Sequence, residues 1–424
     1  MKQFVIIGNS AAGIAAVEAI RKVDKASKIT VISDEDYPSY CRCLISYYLA
    51  GEVKEEKLSY RLEAFYKENN IELLLNKKVN RVDPKKNRII CEDKSQLGYD
   101  SLLIATGASP KFPESVKGIK KEGVFGLRTI KDAKEIETLL PLTKTVCVLG
   151  GGLIGLKAAY ALRKRNIEVK VIIKSKQVLS QMLDAESAGI VARRLEENGI
   201  DLIFGEDVTE IIGEGDIKAV KLASGKALGT TLVVVGKGVE PNIGLVKDTE
   251  IKLNEGIIAN GLLQSSIPNI YTAGDACESL DLTLGKLSIN ALWPVAIEQG
   301  KVAGSNMAGG DINYQGSLAM NSIEFFGLPI ISLGVYKHQE GGCEELKSSD
   351  AKANIYKKLI LRNNCLIGAI LVGDIRSSGV FLKLIRERVN VSSIKDSLLG
   401  ENFGFPDIMD LIKDKEQIYV ENCS

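Results

Sequence analysis

The sequence predicts an α/β fold containing two parallel sheets, each wound around its own strand, glycine turn, helix and strand, with an α+β region towards the C-terminal end. Two observations carry this. Phe4 to Ile7 is wholly apolar and is followed by Gly8-Asn9-Ser10-Ala11-Ala12-Gly13, then IAAVEAIRKV, then a second apolar run from Ile29 to Ile32. About 140 residues later the pattern returns as Val146 to Leu149, Gly150-Gly151-Gly152-Leu153-Ile154-Gly155, LKAAYALRKR, and Val169 to Ile173. Short runs apolar on both faces belong in buried parallel sheets, and a parallel pair needs a crossover, usually a helix.

Taken in order, each glycine has a mechanical role. The first makes the tight turn out of the strand, the second lets a pyrophosphate approach the backbone, and the third lets helix and strand pack closely. The helix N-terminus adds free N–H groups and a positive dipole end, so the unit predicts dinucleotide binding. The second copy matches fully, whereas the first has Ser10 at the middle position. The strand LLIATGASP (102–110) lies between the copies, LVVVGKGVEPN (232–242) follows the second, and IPNIYTAGDAC (267–277) ends another apolar run at Gly274-Asp275. In the last region, YKKLILRNNCLIGAILVGD (356–374) predicts two antiparallel strands joined at Arg362-Asn363-Asn364.

Composition narrows the function classes. At 424 residues the chain is long enough for two or three domains. Its 55 Lys+Arg nearly cancel its 54 Asp+Glu, which removes the broad positive field that non-specific nucleic-acid binding needs. Forty glycines against ten prolines mark a demand for backbone freedom at turns rather than disorder. A single histidine, His338, and eight cysteines without any CxxC argue against zinc or iron–sulfur sites, so no metal is expected. No run reaches the length of a membrane span and no leader pattern is evident, so the expected compartment is a reducing cytoplasm with free thiols.

The order GxSxxG, ATG, GxGxxG, VVVGxGxxPN and YTAGDA resembles the pyridine nucleotide–disulfide oxidoreductase superfamily, flavoproteins with two dinucleotide-binding domains. ALWPVAIEQGKVAGSNMAG (291–309) and NSIEFFGLPIISLG (321–334) are similar to the branch of NADH:rubredoxin reductases and the flavin part of NAD(P)H-nitrite reductases. The resemblance implies FAD and NADH or NADPH as cofactors. It also implies a discontinuous FAD domain (1–110 and 242–310), an inserted NAD(P)H domain (111–241), and a C-terminal domain (311–424) for dimerisation or partner contact.

On the flavin side it implies contacts from Gly8, Ser10, Ala12 and Gly13 at the pyrophosphate, from Gly274 and Asp275 at the ribityl chain, and from Arg42 and Arg128 at phosphate. Ser33 and Asp34 stand where an acidic ribose ligand is usual, and Val79, Thr106, Gly107 and Trp293 complete the expected set. The nicotinamide nucleotide is expected on Gly150, Gly152, Leu153, Ile154, Gly155 and Gly236. There the usual strand-end carboxylate is replaced by Ile173, with Lys174 and Lys176 behind it, cations that suit either a 2′-phosphate or a solvated loop.

The segment SYCRCLISYYLAGEV (39–53) resembles that of CoA-disulfide reductases, with Cys43 on the single redox cysteine. Cys41 is expected on the opposite face of a strand-like CxC, which disfavours a disulfide with Cys43. Lys157 stands where relatives place a flavin-side glutamate, as a charge for reduced flavin or as a lysine trailing off its helix. His338 is expected in an exposed loop. Arg376, Lys383, Arg386 and Arg388 form either a basic docking face or a solvated helix.

The expected activity is NAD(P)H oxidation through FAD, passing electrons to a ferredoxin- or rubredoxin-type protein or an iron–sulfur subunit of a larger complex, with a homodimer as one expected state. The alternative is a CoA-disulfide or persulfide reductase using Cys43, and a third class is a structural or redox-sensing flavoprotein.

Overall fold

The computed structural model describes residues 1–337 and 341–412, so His338 and Cys423 lie outside the described residues. The first glycine turn joins two strands of a five-stranded parallel sheet. Its order is Ile270–Thr272, Ser101–Ile104, Gln3–Ile7, Lys28–Ile32, Ile71–Leu74. The second turn does the same in a sheet ordered Ile200–Phe204, Glu168–Ile173, Thr145–Leu149, Leu232–Val235, Val124–Phe125. The all-apolar strands are inside, as their patterning demands: Phe4, Val5 and Ile6, and likewise Val146 to Leu149, are wholly buried.

Two glycines outside the turn motifs decide how the first unit packs. The Ala11–Val23 helix crosses the Trp293–Met307 helix so closely that a Cβ on Gly300 would lie 2.2 Å from the Ala12 carbonyl oxygen, and one on Gly304 2.4 Å from that of Ala16. Any side chain there would push the helices apart.

The C-terminal region is a five-stranded antiparallel sheet ordered Met320–Phe325, Leu328–Gly334, Cys365–Val372, Ile355–Arg362, Cys343–Asp350, backed by the Ser378–Glu387 helix. The predicted hairpin forms, with Asn363 and Asn364 at φ 51° and 57°, a left-handed pair that suits asparagine. One face of this sheet, with Phe325, Ile330, Tyr356 and Ile370, shares a core with Leu156, Ala159 and Ile190 of the second nucleotide unit.

Ionic contacts cross the same seam. Asp184 caps the Ala185–Glu197 helix, accepts a 2.6 Å hydrogen bond from the Tyr356 hydroxyl, and stands 3.5 Å from the buried Lys358 ammonium, which also pairs with Glu345 at 2.6 Å. Among the described residues no helix is long and apolar enough to cross a membrane.

Candidate functional site: two nucleotide turns and a cysteine pair between them

Both turns show the expected mechanics. Gly8 has φ 122°, and a Cβ on it would lie 2.1 Å from the Ala105 carbonyl oxygen; one on Gly13 would lie 1.9 Å from that of Gly8. Gly150 (φ 112°) lies as tightly under Gly236, with Gly155 tucked against Gly150. The middle position behaves differently, because a Cβ on Gly152 would meet nothing nearer than 3.9 Å. No protein atom demands glycine there, so the open space lies on the side from which a phosphate approaches the N-terminus of the Leu153–Lys164 helix. Ser10 occupies the same place before the first helix, and its hydroxyl makes no capping bond, which leaves it available to a ligand. Ala12 packs beneath Gly274 and Gly300, while Leu153 and Ile154 pack on the second unit's core.

Around the first turn, three chain segments converge on a charged cluster. Arg128, just before the Thr129 cap of the Ile130–Leu139 helix, donates to Asp275 at 2.5 Å. The Arg42 guanidinium donates to the Arg128 carbonyl at 3.1 Å and pairs with Glu35, which also accepts from the Tyr40 hydroxyl. Gly107, at φ 68°, leaves room beside Arg128, and Thr106 is tied to Asn242 by hydrogen bonds in both directions. Asp34 is exposed, and the Ser33 hydroxyl accepts from the Glu35 N–H at 3.2 Å. The acid engaged beside the turn is therefore Glu35, three residues beyond the strand end. Val79 packs its side chain on the core beside Ile7 and Ile32.

Sequence reasoning also missed Gln299. Wholly buried, it accepts from the Gly274 N–H at 2.8 Å and donates to Ser279, holding the Gly274–Ala276 turn that presents Asp275. A polar residue beside Gly300 on an otherwise apolar helix face was the available signal.

The arrangement suits an anionic dinucleotide. Arg128 Nε, Asn9 Nδ2 and Ser39 Oγ are buried without a hydrogen-bond partner, and such groups normally find one. They lie on the turn and cluster where the flavin nucleotide is expected.

The cysteine segment departs from expectation. Cys41 does not lie in a strand; it precedes a 3₁₀ turn, Arg42–Leu44, so the alternation of side chains along a strand does not apply to the pair. The strand-based view that they face apart is therefore corrected. A hydrogen bond from Cys43, opposed by burial and reinforced by the N–H groups of Cys43 and Leu44, draws the Cys41 thiol down to about 6. Its hydrogen bond to Cys41, burial and the Cys41 charge push Cys43 up, with Arg128 opposing. Cys43 is exposed and Cys41 half-buried. The Tyr60 ring meets Trp293 edge-on at 5.2 Å.

Lys157 does not trail into solvent. Its ammonium donates to the Tyr47 hydroxyl at 3.0 Å and to the Glu324 carbonyl at 3.2 Å, and lies over the rings of Tyr47, Tyr160 and Phe325.

At the second turn the absent carboxylate is partly made good from elsewhere. Asp207, beyond the neighbouring strand end, accepts from Lys237 at 2.7 Å and lies 3.8 Å from Lys174, while Lys176 is exposed. The basic face expected in the C-terminal region is largely neutralised: Arg376 pairs with Asp374, Lys383 with Glu387, Arg386 with Glu298, and Arg388 donates to the Leu282 carbonyl.

Comparison with known proteins agrees with this architecture. Residues 2–300 match the family model described as pyridine nucleotide-disulphide oxidoreductase, and residues 320–389 match the rubredoxin NAD+ reductase C-terminal domain. A nitrite reductase [NAD(P)H] of Bacillus subtilis (strain 168) is 32% identical over 92% of this chain, which spans 48% of that protein, about half its length. The epsilon subunit of an NADH-dependent phenylglyoxylate dehydrogenase of Aromatoleum evansii is 28% identical over 94% of both chains. Among solved structures, an NAD-dependent persulfide reductase from A. fulgidus superposes with a TM-score of 0.85 at 29% identity, covering 93% of this chain and 78% of that one. With the paired glycine turns, the charged cluster and the C-terminal sheet in place, the chain belongs to the pyridine nucleotide-disulphide oxidoreductase family, whose cofactor is FAD.

Proposed function

We propose that the chain oxidises NADH or NADPH and delivers the electrons to a small redox protein of ferredoxin or rubredoxin type, or to an iron–sulfur subunit of a larger assembly. The observation that carries this reading is the C-terminal sheet, matched to the rubredoxin NAD+ reductase domain and sharing a core with the second nucleotide unit. Similarity to the phenylglyoxylate dehydrogenase subunit along nearly its whole length supports the subunit form.

In this reading residues 1–110 and 242–310 hold FAD, 111–241 hold the nicotinamide nucleotide, and 311–424 meet the partner. Bound FAD would supply the step from a two-electron hydride to single electrons. The chain's own part is positioning. The tight turn made by Gly8, Ser10 and Gly13 presents the N-terminus of the Ala11–Val23 helix to the pyrophosphate, and the Arg128–Asp275 pair and Arg42 orient the flavin nucleotide. Gly150, Gly152 and Gly155 do the same for NAD(P)H. Lys157, held by Tyr47 and Glu324, supplies a positive charge towards the flavin, and Trp293 closes the pocket beside Tyr60.

The test is anaerobic reduction with NADH or NADPH, followed by rubredoxin, ferredoxin or CoA disulfide as acceptor. Protein acceptors are expected to turn over fastest and to be unaffected by Cys43→Ser. Turnover of CoA disulfide alone, abolished by that change, would replace this reading with the second one, reduction of a CoA disulfide or persulfide through Cys43. The exposure of Cys43 and the similarity to a persulfide reductase favour that second reading.

A further inference from the structure

Three strand ends beside the second nucleotide turn contribute to one charge cluster. Lys174 directly follows the Glu168–Ile173 strand, Asp207 lies three residues beyond Ile200–Phe204, and Lys237 lies two residues beyond Leu232–Val235. In the sheet, Leu232–Val235 is separated from Ile200–Phe204 by the Thr145–Leu149 and Glu168–Ile173 strands, yet the Lys237 ammonium reaches Asp207 at 2.7 Å. The Lys237 side chain passes the glycine turn on its way: its Cδ lies 3.7 Å from where a Cβ on Gly150 would stand. The Lys174 ammonium is 3.8 Å from the other Asp207 oxygen. Two cations therefore converge on one carboxylate at the carboxyl edge of a parallel sheet, the edge at which nucleotides bind.

Stability does not account for this reach. The Lys237 and Asp207 side chains are 20% and 32% exposed, and ion pairs open to solvent contribute little, while holding a lysine extended costs rotamer entropy. Asp207 also accepts from the Val208 N–H at 3.0 Å, and the neighbouring Glu206 is engaged by the Ser224 N–H at 3.3 Å. The strand end itself is apolar, because the Ile173 side chain lies 2.9 Å from where a Cβ on Gly151 would stand. A ribose 2′-hydroxyl finds no acceptor in that side chain, whereas Lys174, Lys237 and the exposed Lys176 outnumber the two acids.

We propose that Lys237 is a specificity-determining residue of the nicotinamide site: with Lys174 it holds the 2′-phosphate of NADPH, and the chain selects NADPH over NADH. The two ammoniums pass from Asp207 to the phosphate when the nucleotide binds. A phosphate offers three acceptor oxygens and more charge than a carboxylate, so it engages both ammoniums at once. This inference deepens the reading above and rests on its assignment of the second unit to the nicotinamide nucleotide; the electron acceptor does not enter.

The test reads binding rather than turnover. The oxidised, FAD-loaded protein is titrated calorimetrically with adenosine 2′,5′-bisphosphate and with 5′-AMP, probes that differ only in the 2′-phosphate. Wild type is expected to bind the bisphosphate at least ~10-fold more tightly than 5′-AMP. Lys237→Met is expected to lower that preference by ~5-fold or more, and Lys237→Arg, which keeps the charge and the reach, to retain most of it. A Lys237→Met variant that weakens both probes alike, leaving the preference unchanged, would assign the lysine to bracing alone and overturn the proposal. Equal binding of the two probes by wild type would overturn it as well. Binding of neither probe would overturn the nicotinamide assignment itself, a failure distinct from equal binding of both.

Discussion

Lys157 shows what a single residue can carry in this fold. Its ammonium is held by an aromatic box and a backbone carbonyl, with no carboxylate among the contacts described for it. A positive charge facing reduced flavin favours its anionic form. Lys157→Met is therefore expected to lower the flavin midpoint potential by roughly 30 mV, the two-electron equivalent of about 1.4 kcal/mol, in a spectroelectrochemical titration. An unchanged potential would leave Lys157 as a strut between the second helix unit and the C-terminal sheet. Lys174 gives a second test at this scale. It is exposed and only loosely paired with Asp207, so it is available to a 2′-phosphate. Lys174→Ala should lower kcat/KM for NADPH by about 3- to 10-fold and leave NADH nearly unchanged; an equal effect on both would assign the lysine to the loop alone.

At the scale of elements, the crossing of the Ala11–Val23 and Trp293–Met307 helices governs whether the flavin turn is correctly placed. Gly300→Ala puts a methyl group 2.2 Å from the Ala12 carbonyl oxygen, inside the first glycine turn's helix. The expected cost is about 3 kcal/mol, read as a lower Tm, together with weaker FAD retention through gel filtration. The same change at the half-buried Gly189, where a Cβ meets nothing within 4 Å, should not destabilise the protein. These glycines were invisible to motif reading because close helix approach depends on the partner helix, which is remote in sequence. The strands, by contrast, were legible, since runs such as Val146 to Leu149 carry their burial in their own composition.

For the whole molecule, the seam between the C-terminal sheet and the second nucleotide unit sets the response to acid. Burial alone would raise Asp184, but hydrogen bonds from Tyr356 and Ser187 and the Lys358 charge outweigh it and hold the carboxyl low. Glu345 is likewise raised by burial and lowered further by Lys347 and Lys358, and Asp374 is held low by Arg376 and Lys357 against burial. Carboxylates held below their ordinary range stabilise the fold fully above the unfolded-chain value near pH 4, and this contribution is lost as pH falls through the folded values. Thermal stability is expected to be flat with respect to these groups from about pH 7 to 5 and to fall steeply below about pH 4. Asp184→Ala, which removes the helix cap and one partner of buried Lys358, should cost about 2 to 4 kcal/mol at pH 7 and flatten the acid limb. An unchanged acid limb in that variant would place the acid-sensitive groups elsewhere.

The sequence by itself determined the two nucleotide turns, the strands that carry them and the C-terminal hairpin, because glycine geometry and apolar runs act over a few neighbouring residues. Only the tertiary structure decided what depends on distant partners. It replaced Asp34 by Glu35 as the engaged acid beside the first turn, brought Asp207 towards Lys174, and seated Gln299 behind Asp275. It also took Cys41 and Cys43 out of a strand: a CxC read as strand sends its side chains apart, and the 3₁₀ turn that replaces it is held by Leu58, from a separate segment of the chain. Local patterning specifies which elements form; the directions of their side chains follow from what those elements are packed against.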